Sequence, residues 1–369
     1  MGGDGMSEWK KVKLGEITNI KTGKLDSNAA VPNGAYPFFT CDPTTLSIDK
    51  WAYETEAILL AGNNASGNYT AKYYKGRFNA YQRTYIIETL NSKIASVRFM
   101  AYAMNQQLQL LKVMSSGSTT KFLTMKMLTN LLINLPTIQT QHCIEDILSR
   151  YDSLIENYQK QIKLLEEAAQ RLYKEWFVDL RFPGYENTPL VDGVPEGWEK
   201  KRLGELSEFK RGKTITKKDV IEGTIPVVAG GLAPAYYCNK SNTSNRVITI
   251  SGSGANAGFT RMYYEKVWAS DCSYIDSDST KYLHFTYCYL LSNKKAIDKM
   301  QKGSAQPHVY AKDINMLDVI IPEKLLLEKY ELYITTFFDK INSIEAQIRL
   351  LTEARDRLLP KLMSGEIEV

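Results

Sequence analysis

The chain contains one stretch twice: it reads Trp9-Lys-Lys-Val-Lys-Leu-Gly-Glu-Ile17 and, 189 positions later, Trp198-Glu-Lys-Lys-Arg-Leu-Gly-Glu-Leu206. The correspondence continues beyond both stretches at a nearly constant offset. The later matching pairs are Tyr36–Phe39 with Ile225–Val228, Gly62 with Gly252, Thr70 with Thr260, Tyr73–Tyr74 with Tyr263–Tyr264, Gly117–Ser118 with Gly303–Ser304, and Leu135–Pro136 with Ile321–Pro322. Self-similarity over this length indicates a duplicated unit about half the chain long.

Both copies have the same predicted order of structure. Short β-branched or aromatic runs between Gly, Asn and Ser turns predict strands, and a helical stretch follows before a last strand that ends at a proline. The predicted strands include 57–61, 84–87, 247–251 and 273–276, and the predicted helices are 95–114 and 282–300. Each copy is therefore expected to be a strand-rich mixed domain.

Apolar side chains recur after each copy at alternating steps of three and four residues, as at the a and d positions of a coiled coil. The first seam comprises Tyr151, Ile155, Tyr158, Ile162, Leu165, Ala169, Leu172 and Trp176, and the second comprises Phe337, Ile341, Ile344, Ile348, Leu351, Arg355, Leu358 and Leu362. One such helix by itself is also consistent with packing on its own domain. Two helices in the same register, each after a homologous domain, favour pairing with each other.

These patterns predict an α+β protein with two homologous, strand-rich mixed α/β domains separated by two long helices. The internal repeat makes the arrangement pseudo-two-fold. The predicted bounds are 6–140 for the first domain, 141–180 for the central helix, 181–197 for a Pro- and Gly-rich linker, 198–324 for the second domain and 325–366 for the C-terminal helix.

Positive charge lies on the two predicted domains. Residues 1–140 have 15 basic against 9 acidic side chains, and residues 181–324 have 20 against 16. The helical segments 141–180 and 325–369 have 5 against 8 and 6 against 8. A basic excess on each globular domain favours a polyanionic partner. The absence of a long apolar run predicts no membrane association, and free cysteines without a secretion signal predict a cytoplasmic protein.

Catalytic and cofactor motifs are incomplete. Arg211–Thr214 ends like a phosphate-binding loop, but Ser207 stands where the first glycine is needed. Gly252–Ala257 fits a dinucleotide fingerprint, yet the aromatic and β-branched residues after it predict a strand where the fingerprint needs a helix. His142 and Cys143 have no partners at metal-ligand spacing, so no metal site is predicted. The chain is expected to bind and not to catalyse.

Two basic, repeated domains that alternate with two seam helices resemble the specificity subunits of type I restriction-modification systems. The resemblance covers nearly the whole chain. Its local carriers are Trp176–Glu186 (WFVDLRFPGYE), Leu358–Ile367 (LLPKLMSGEI), Gly197-Trp198 with Leu203-Gly-Glu205, and Gly303–His308 (GSAQPH). Each carrier alone is a weak signal, but together they are specific.

The resemblance implies that each domain is a target-recognition domain that reads one half of a bipartite site in double-stranded DNA. It implies that the helices form an antiparallel coiled coil, which sets the spacer and docks two methylation subunits. In this family those partners bind S-adenosylmethionine and methylate adenine at N6, and motor-nuclease subunits use ATP and Mg²⁺. None of these cofactors is expected to bind the chain itself.

The candidate DNA-binding residues are polar side chains on predicted loops. Base readout needs Asn, Gln, Arg, Ser and Thr side chains that reach into a groove, whereas Lys and Arg contact phosphates. The candidates are Asn63, Asn64, Ser66, Asn68, Ser118, Thr119 and Lys121 in the first domain, Ser251, Ser253, Asn256, Ser304, Gln306 and His308 in the second, and Arg77, Arg83 and Arg261 as phosphate clamps. The same stretches are also consistent with simple tight turns.

Two other classes of function remain open from the sequence. A coiled-coil DNA-binding scaffold of another defence or methylation complex would share both the helices and the basic domains. A coiled-coil scaffold for protein partners would explain the helices but not two basic domains with polar loops. A scaffold for protein partners alone would show little salt-dependent duplex binding. A methyltransferase or nuclease in its own right would show activity as the purified chain with S-adenosylmethionine or Mg²⁺.

We predict that the two half-sites differ in sequence, because the repeated framework matches while the loops do not: Asn-Asn-Ala-Ser-Gly-Asn faces Ser-Gly-Ala-Asn-Ala-Gly. Changing Asn64 or Gln306 to Ala should relax one half-site, at a cost of ~1–3 kcal/mol for a lost bidentate base contact. Mapping N6-methyladenine in cells that express the chain with its methylation partner tests this, and a palindromic motif would contradict it.

Overall fold

The structure is a computed structural model that describes residues 9–65, 67–115, 121–301 and 307–369. The chain packs into two compact units. Unit 1 comprises the residues up to Glu156 together with Arg349–Val369, and unit 2 comprises Asn157–Ile348. Each unit therefore contains one copy of the repeat and parts of both long helices.

The elements of the first repeat end with the first long helix. The strands are β1 Lys10–Lys13, β2 Thr18–Thr22, β3 Tyr36–Phe39, β4 Leu46–Ile48, β5 Tyr53–Ala61, β6 Asn63–Asn64, β7 Ala71–Ala80, β8 Thr84–Thr89, β9 Lys121–Phe122 and β10 Leu132–Leu135. The helices are α1 Leu14–Ile17, α2 Val97–Met114, α3 Met125–Thr129 and α4 Ile138–Tyr173.

The elements of the second repeat follow a similar order, after a short antiparallel strand pair within the segment 181–197. The strands are β11 Leu190–Val191, β12 Val194–Pro195, β13 Glu199–Arg202, β14 Lys210–Arg211, β15 Ile225–Val228, β16 Tyr236–Cys238, β17 Val247–Ser251, β18 Thr260–Tyr263, β19 Trp268–Ala269, β20 Cys272–Asp276 and β21 Asp318–Ile321. The helices are α5 Leu203–Leu206, α6 Leu283–Ser292, α7 Lys294–Lys299, α8 Ala311–Asn315 and α9 Lys324–Ser364.

Sheet topology confirms the duplication. In unit 1 the largest sheet has the order β2-β8-β5-β7-β3-β4, and in unit 2 the corresponding strands form the sheets β14-β20-β17-β18 and β16-β15-β19. The first strand of each repeat pairs antiparallel with its last, β1 with β10 and β13 with β21. Each repeat also contains a parallel strand pair, β3 with β7 and β15 with β19. The α+β fold class predicted from the repeat is therefore correct.

The apolar runs that predicted strands are buried on both faces. Residues 57–61 of β5 and 247–251 of β17 are fully buried, since helices cover one face of the sheet and further side chains the other. In unit 1, α2 packs the side chains of Phe99, Met100 and Met104 into this core. The apolar side chains of β5 and the apolar face of α2 therefore pack into the same core.

A carboxylate from a long helix covers the N-terminus of the preceding domain helix in both units. Glu145 of α4 accepts a hydrogen bond from the backbone N–H of Phe99 at 2.8 Å. Glu331 of α9, 186 positions later, accepts from the N–H groups of His284 at 2.9 Å and Phe285 at 3.0 Å. The first N–H groups of a helix lack partners within the helix, and the helix dipole favours a negative charge there. The same contact therefore fixes each domain helix to its long helix.

The seam positions of α4 and α9 are buried or half-buried, whereas the positions between them are mostly exposed. In unit 2 the helices run antiparallel, because Trp176 contacts Tyr330 while Glu166, which lies earlier on α4, faces Glu345, which lies later on α9. In unit 1 Arg355 forms an ion pair with Asp152 at 2.8 Å. The long side chain at this seam position therefore has a charged partner across the helix pair.

Three predicted boundaries differ from the structure. The predicted helix 282–300 is two helices, since the Asn293 side chain donates to the Tyr289 carbonyl and ends α6. The central helix begins at Ile138 and passes at Lys174–Val178 into a π-helical turn. The C-terminal helix ends at Ser364, before Gly365 at φ 76°.

The segment 181–197 is more than a connection. Phe182 and Val194 belong to the same buried cluster of unit 2 as Trp176 and Trp198, and the Phe182 and Trp198 ring centroids are 4.8 Å apart. The prolines and glycines of this segment predict a linker. These residues shape turns that carry the two apolar side chains back into the core.

We predict that Glu331→Gln weakens the attachment of α6 to α9, because a neutral amide loses the charge-assisted bonds to two helix N–H groups and to the His284 ring. The expected local cost is ~1–3 kcal/mol. Hydrogen exchange at the start of α6 should accelerate in this variant. Glu328→Gln, an exposed change on the same helix, is the control, and equal exchange in both variants would contradict the prediction.

Candidate nucleic-acid interface

In each unit, a glycine whose backbone N–H and carbonyl are both hydrogen-bonded anchors the candidate loops. The Gly62 N–H donates to the Arg83 carbonyl at 2.9 Å, and the Gly62 carbonyl accepts from the Leu123 N–H at 2.8 Å. The Gly252 N–H donates to Asp271 and its carbonyl accepts from Val309, both at 3.1 Å. The two units therefore connect three separate chain segments in the same way.

In each unit these bonds bring together two candidate stretches that lie far apart in the sequence. In unit 1, Asn63 is paired with Phe122 and Asn64 with Lys121, in the short antiparallel pair β6–β9. In unit 2, Ser253 is paired with His308 at the equivalent place. We call residues 62–70 the Asn63 loop and residues 252–259 the Ser253 loop. Each loop lies beside the segment that leads into the last short helix and the last strand of its domain.

The Asn63 loop combines amides with lysines. The Asn64 side-chain oxygen accepts from the Asn68 N–H at 3.1 Å, and the exposed Asn68 accepts from the Lys112 ammonium at 2.7 Å. A Cβ added at Gly67 would lie 3.2 Å from Cγ of Lys112 and 3.4 Å from Cγ of Lys121. Two basic side chains therefore flank a loop of amide side chains, which suits a phosphate backbone beside base edges.

The Ser253 loop has different chemistry at the same place. The Ser253 hydroxyl donates to the Asp271 carboxylate, and the Asn256 amide approaches the Gly230 carbonyl at 3.4 Å. The His308 ring stacks on Tyr310 with centroids 5.9 Å apart. A cavity of about 30 Å³ beside the loop is lined by Arg211, Asp271 and His308, among other residues. In unit 2 the carboxylate of Asp271 and the imidazole of His308 therefore lie beside the Ser253 loop.

The predicted arginines lie at different places. Arg77 is on β7, ion-paired with Glu54 at 3.1 Å and lying over the Trp51 ring at 4.9 Å, so the structure does not bring it to the Asn63 loop. Arg83 is exposed, and its carbonyl holds Gly62. Arg261 lies over the Tyr263 ring at 4.9 Å and donates to the Leu232 carbonyl at 3.2 Å.

Ser251 differs from the expectation for a DNA-contacting residue. It is 3% exposed in β17, and its hydroxyl donates to the Gly230 carbonyl at 3.1 Å. All residues of β17 are buried, and Ser251 is buried with them. Its hydroxyl therefore supports the Ser253 loop through the bond to Gly230, and Ser251 is not a candidate DNA contact. The candidates Ser66, Ser118, Thr119, Ser304 and Gln306 lie outside the described residues.

Sequence reasoning missed Lys112 and Asp271. Lys112 lies near the end of α2, where a lysine is ordinary, and only the fold places it against Asn68. Asp271 occupies the position of Arg83, because the carbonyls of these two residues hold Gly252 and Gly62. The offset between the repeats has changed to 188 at this point, so alignment at a constant offset does not match them. Equivalent positions therefore carry opposite charges in the two units.

Within the described ranges, no three His, Cys, Asp or Glu side chains come together as a possible metal-ligand set. None of the described helices is both long enough and apolar enough to cross a membrane.

Comparison with known proteins assigns the chain to a family. The protein-family model of the type I restriction modification DNA specificity domain matches the chain twice, over residues 6–167 and 195–351. These matches cover most of the chain, and the chain belongs to this family. The two matched segments coincide with the two repeats, so the family assignment and the internal duplication support the same division.

Known relatives match over most of their length. The chain is 24% identical to the type I restriction enzyme EcoDI specificity subunit of Escherichia coli, over 98% of this chain and 89% of that protein. It is 31% identical to the MjaIX specificity subunit of Methanocaldococcus jannaschii, over 70% of this chain and 66% of that one. A solved S subunit from M. genitalium shares the fold, with a TM-score of 0.63, 20% identity and 98% coverage of both chains. The chain is thus a DNA sequence-recognition protein of type I restriction-modification.

We predict that Gly62→Ala disrupts the Asn63 loop more than Gly252→Ala disrupts the Ser253 loop. A Cβ at Gly62 would lie 2.4 Å from the Arg83 carbonyl oxygen, whereas a Cβ at Gly252 would lie 3.2 Å from that of Asp271. The first contact requires the backbone to shift, and the second requires only a small adjustment. Competition binding with the recognised duplex should therefore show the larger loss for Gly62→Ala, by roughly tenfold or more. Equal losses would contradict this.

Proposed function

We propose that this chain is a non-catalytic specificity subunit in which units 1 and 2 read the two halves of an asymmetric site in double-stranded DNA. The observation that supports this most directly is the repeated glycine anchor. It presents two neighbouring loops at the same place in each unit, with amides and lysines in unit 1 and hydroxyl, carboxylate and imidazole groups in unit 2. A shared scaffold with different donors and acceptors selects different bases.

Charge around the loops supports the same proposal. Basic side chains lie beside or near the loops in both units: Lys112 and Lys121 in unit 1, Arg211 and Arg261 in unit 2. Such side chains bind phosphates without reading sequence. Binding to any duplex should therefore weaken steeply with salt. The part that depends on sequence should come from the Asn63 and Ser253 loops.

The partners of the proposed complex supply its chemistry. Two methylation subunits would bind S-adenosylmethionine and methylate adenine at N6, and motor-nuclease subunits would use ATP and Mg²⁺. The chain would contribute DNA recognition and a docking surface on its helices, and would bind none of these cofactors. A scaffold that binds only proteins would leave the basic loops without a role.

We expect the purified chain to bind duplex DNA in a salt-dependent way and to transfer no methyl group from S-adenosylmethionine. Its logarithmic affinity should fall linearly with the logarithm of salt concentration, with a slope that reports the number of phosphates contacted. Incubation with tritiated S-adenosylmethionine and a duplex pool, with and without the methylation subunit, measures the transfer. Methylation above the no-enzyme background by the chain alone would contradict the proposal.

We also propose that the lengths of α4 and α9 set the unread spacer between the half-sites. A heptad inserted in each helix keeps the seam in phase and adds about 10 Å, which corresponds to ~3 base pairs. The methylated motif of this variant should keep both half-sites and gain spacer. A two-residue insertion, which turns the seam by about 200°, is the out-of-phase control and should abolish assembly. Activity of the heptad variant on the original spacer would overturn this idea.

A further inference from the structure

A third loop lies beside the candidate loops in both units. In unit 1 it follows β3 and comprises residues 40–45, which we call the Asp42 loop. In unit 2 it follows β15 and comprises residues 229–235, which we call the Leu232 loop. Both connect the parallel-paired strand to the next antiparallel strand, so they are equivalent in topology.

Direct contacts join the third loop to the loops already described. In unit 2 the Gly230 carbonyl accepts from the hydroxyl of Ser251 at 3.1 Å and lies 3.4 Å from the amide of Asn256. A Cβ added at Gly230 would lie 2.9 Å from the Ser253 carbonyl oxygen. In unit 1 the Cys41 thiol lies 3.4 Å from the Arg83 carbonyl, the group that also holds Gly62. The third loop is therefore packed against the anchor of the recognition loop in each unit.

The same kind of bond holds the third loop in both units. The Lys72 ammonium donates to the Asp42 carbonyl at 3.3 Å, and the Arg261 guanidinium donates to the Leu232 carbonyl at 3.2 Å. Lys72 of β7 is paired with Leu59 of β5, and Arg261 of β18 is paired with Thr249 of β17. Leu59 and Thr249 each lie three positions before the anchoring glycine, so the strand register makes the two basic residues equivalent, although they are one position apart in the sequence match of the repeats. The bond is repeated although its donor is a lysine in unit 1 and an arginine in unit 2. This indicates that the position of the third loop is maintained and not one particular donor residue.

The outer surfaces of the two loops differ as the recognition loops do. The Asp42 loop exposes Asp42, Pro43 and Thr44, and the Asp42 carboxylate accepts from the Thr44 N–H at 2.6 Å. The Leu232 loop exposes Gly231, Leu232 and Ala233, and 56% of Leu232 is exposed although it is a large apolar residue. A carboxylate can accept a hydrogen bond from the N4 amino group of cytosine, and an apolar side chain can contact the methyl group of thymine.

We propose that the Asp42 and Leu232 loops are a third base-reading loop of each unit. Leu232 contacts a thymine methyl group next to the bases read by the Ser253 loop, and Asp42 accepts from a cytosine amino group next to those read by the Asn63 loop. This inference rests on the proposed function, and it adds base-reading residues that lie 20 or more positions away in sequence from the loops named above.

The test maps N6-methyladenine in cells that express the chain with its methylation subunit, for the wild type and five variants. Leu232→Ala and Asp42→Asn test the third loops. Asn256→Ala and Asn64→Ala mark which half-site belongs to each unit. Ile221→Ala is the matched control, because Ile221 is 68% exposed in the same unit but lies outside the three loops.

The expected result is that Leu232→Ala relaxes one thymine position, in the half-site that Asn256→Ala also alters, with methylation of the original motif about fivefold to tenfold slower. Asp42→Asn should relax a cytosine position in the other half-site. Ile221→Ala should leave motif and rate unchanged. Leu232→Ala, Asp42→Asn and Ile221→Ala should melt like the wild type, since these three side chains are exposed.

Three outcomes overturn the inference. If Leu232→Ala and Asp42→Asn behave as Ile221→Ala does, the third loops do not touch bases. If they slow methylation equally at every motif variant, their role is structural. If they relax a half-site other than the one marked for their own unit, the loop assignment is wrong. A wild-type chain that directs no bipartite methylation would instead refute the proposed function, which distinguishes the two failures.

Discussion

The candidate interface depends on one short backbone contact in each unit, where a glycine without a side chain lies against the carbonyl that begins a buried strand. At Gly62 the space that a Cβ would need is already filled by the Arg83 carbonyl oxygen. The glycine uses both its N–H and its carbonyl to join three chain segments. Because such bonds involve only main-chain atoms, the side chains of the loops are free to differ while the framework stays the same.

This separation of framework and loop explains why the two units resemble each other in topology and differ in chemistry. Arg83 and Asp271 show the division most clearly. Their carbonyls perform the same structural task for Gly62 and Gly252, while their side chains have opposite charges. A protein that reads two different half-sites needs this property, since each unit must keep its fold while its recognition residues change.

The long helices are tied to the domains by contacts that are also repeated. Glu145 and Glu331 cover the starts of α2 and α6, so each domain helix is fixed to a long helix by a buried or half-buried carboxylate. The seam itself is not equal in the two units. Arg355 has a charged partner in Asp152, and the Tyr102 hydroxyl donates to the same carboxylate at 2.5 Å, whereas the equivalent Ala169 is buried in an apolar cluster. Burial and this hydrogen bond raise the pKa of Tyr102, which keeps it a donor.

Much of this protein could be predicted from its sequence, because the relevant signals are local or repeated. The duplication, the fold class, the two seam helices and the buried strand 247–251 all follow from spacing and periodicity, which the hydrophobic effect translates directly into burial. The turns that hold the candidate residues could also be predicted, since Gly, Asn and Ser are typical of turns. Only the tertiary structure decided where these loops lie and what they contact. It paired Asn63 with Phe122 and Ser253 with His308, turned Ser251 inward, engaged Arg77 with Glu54, and brought Lys112 and Leu232 to the interface. Those outcomes depend on hydrogen bonds and close contacts between segments far apart in the chain, and a local pattern of residue types carries no information about them.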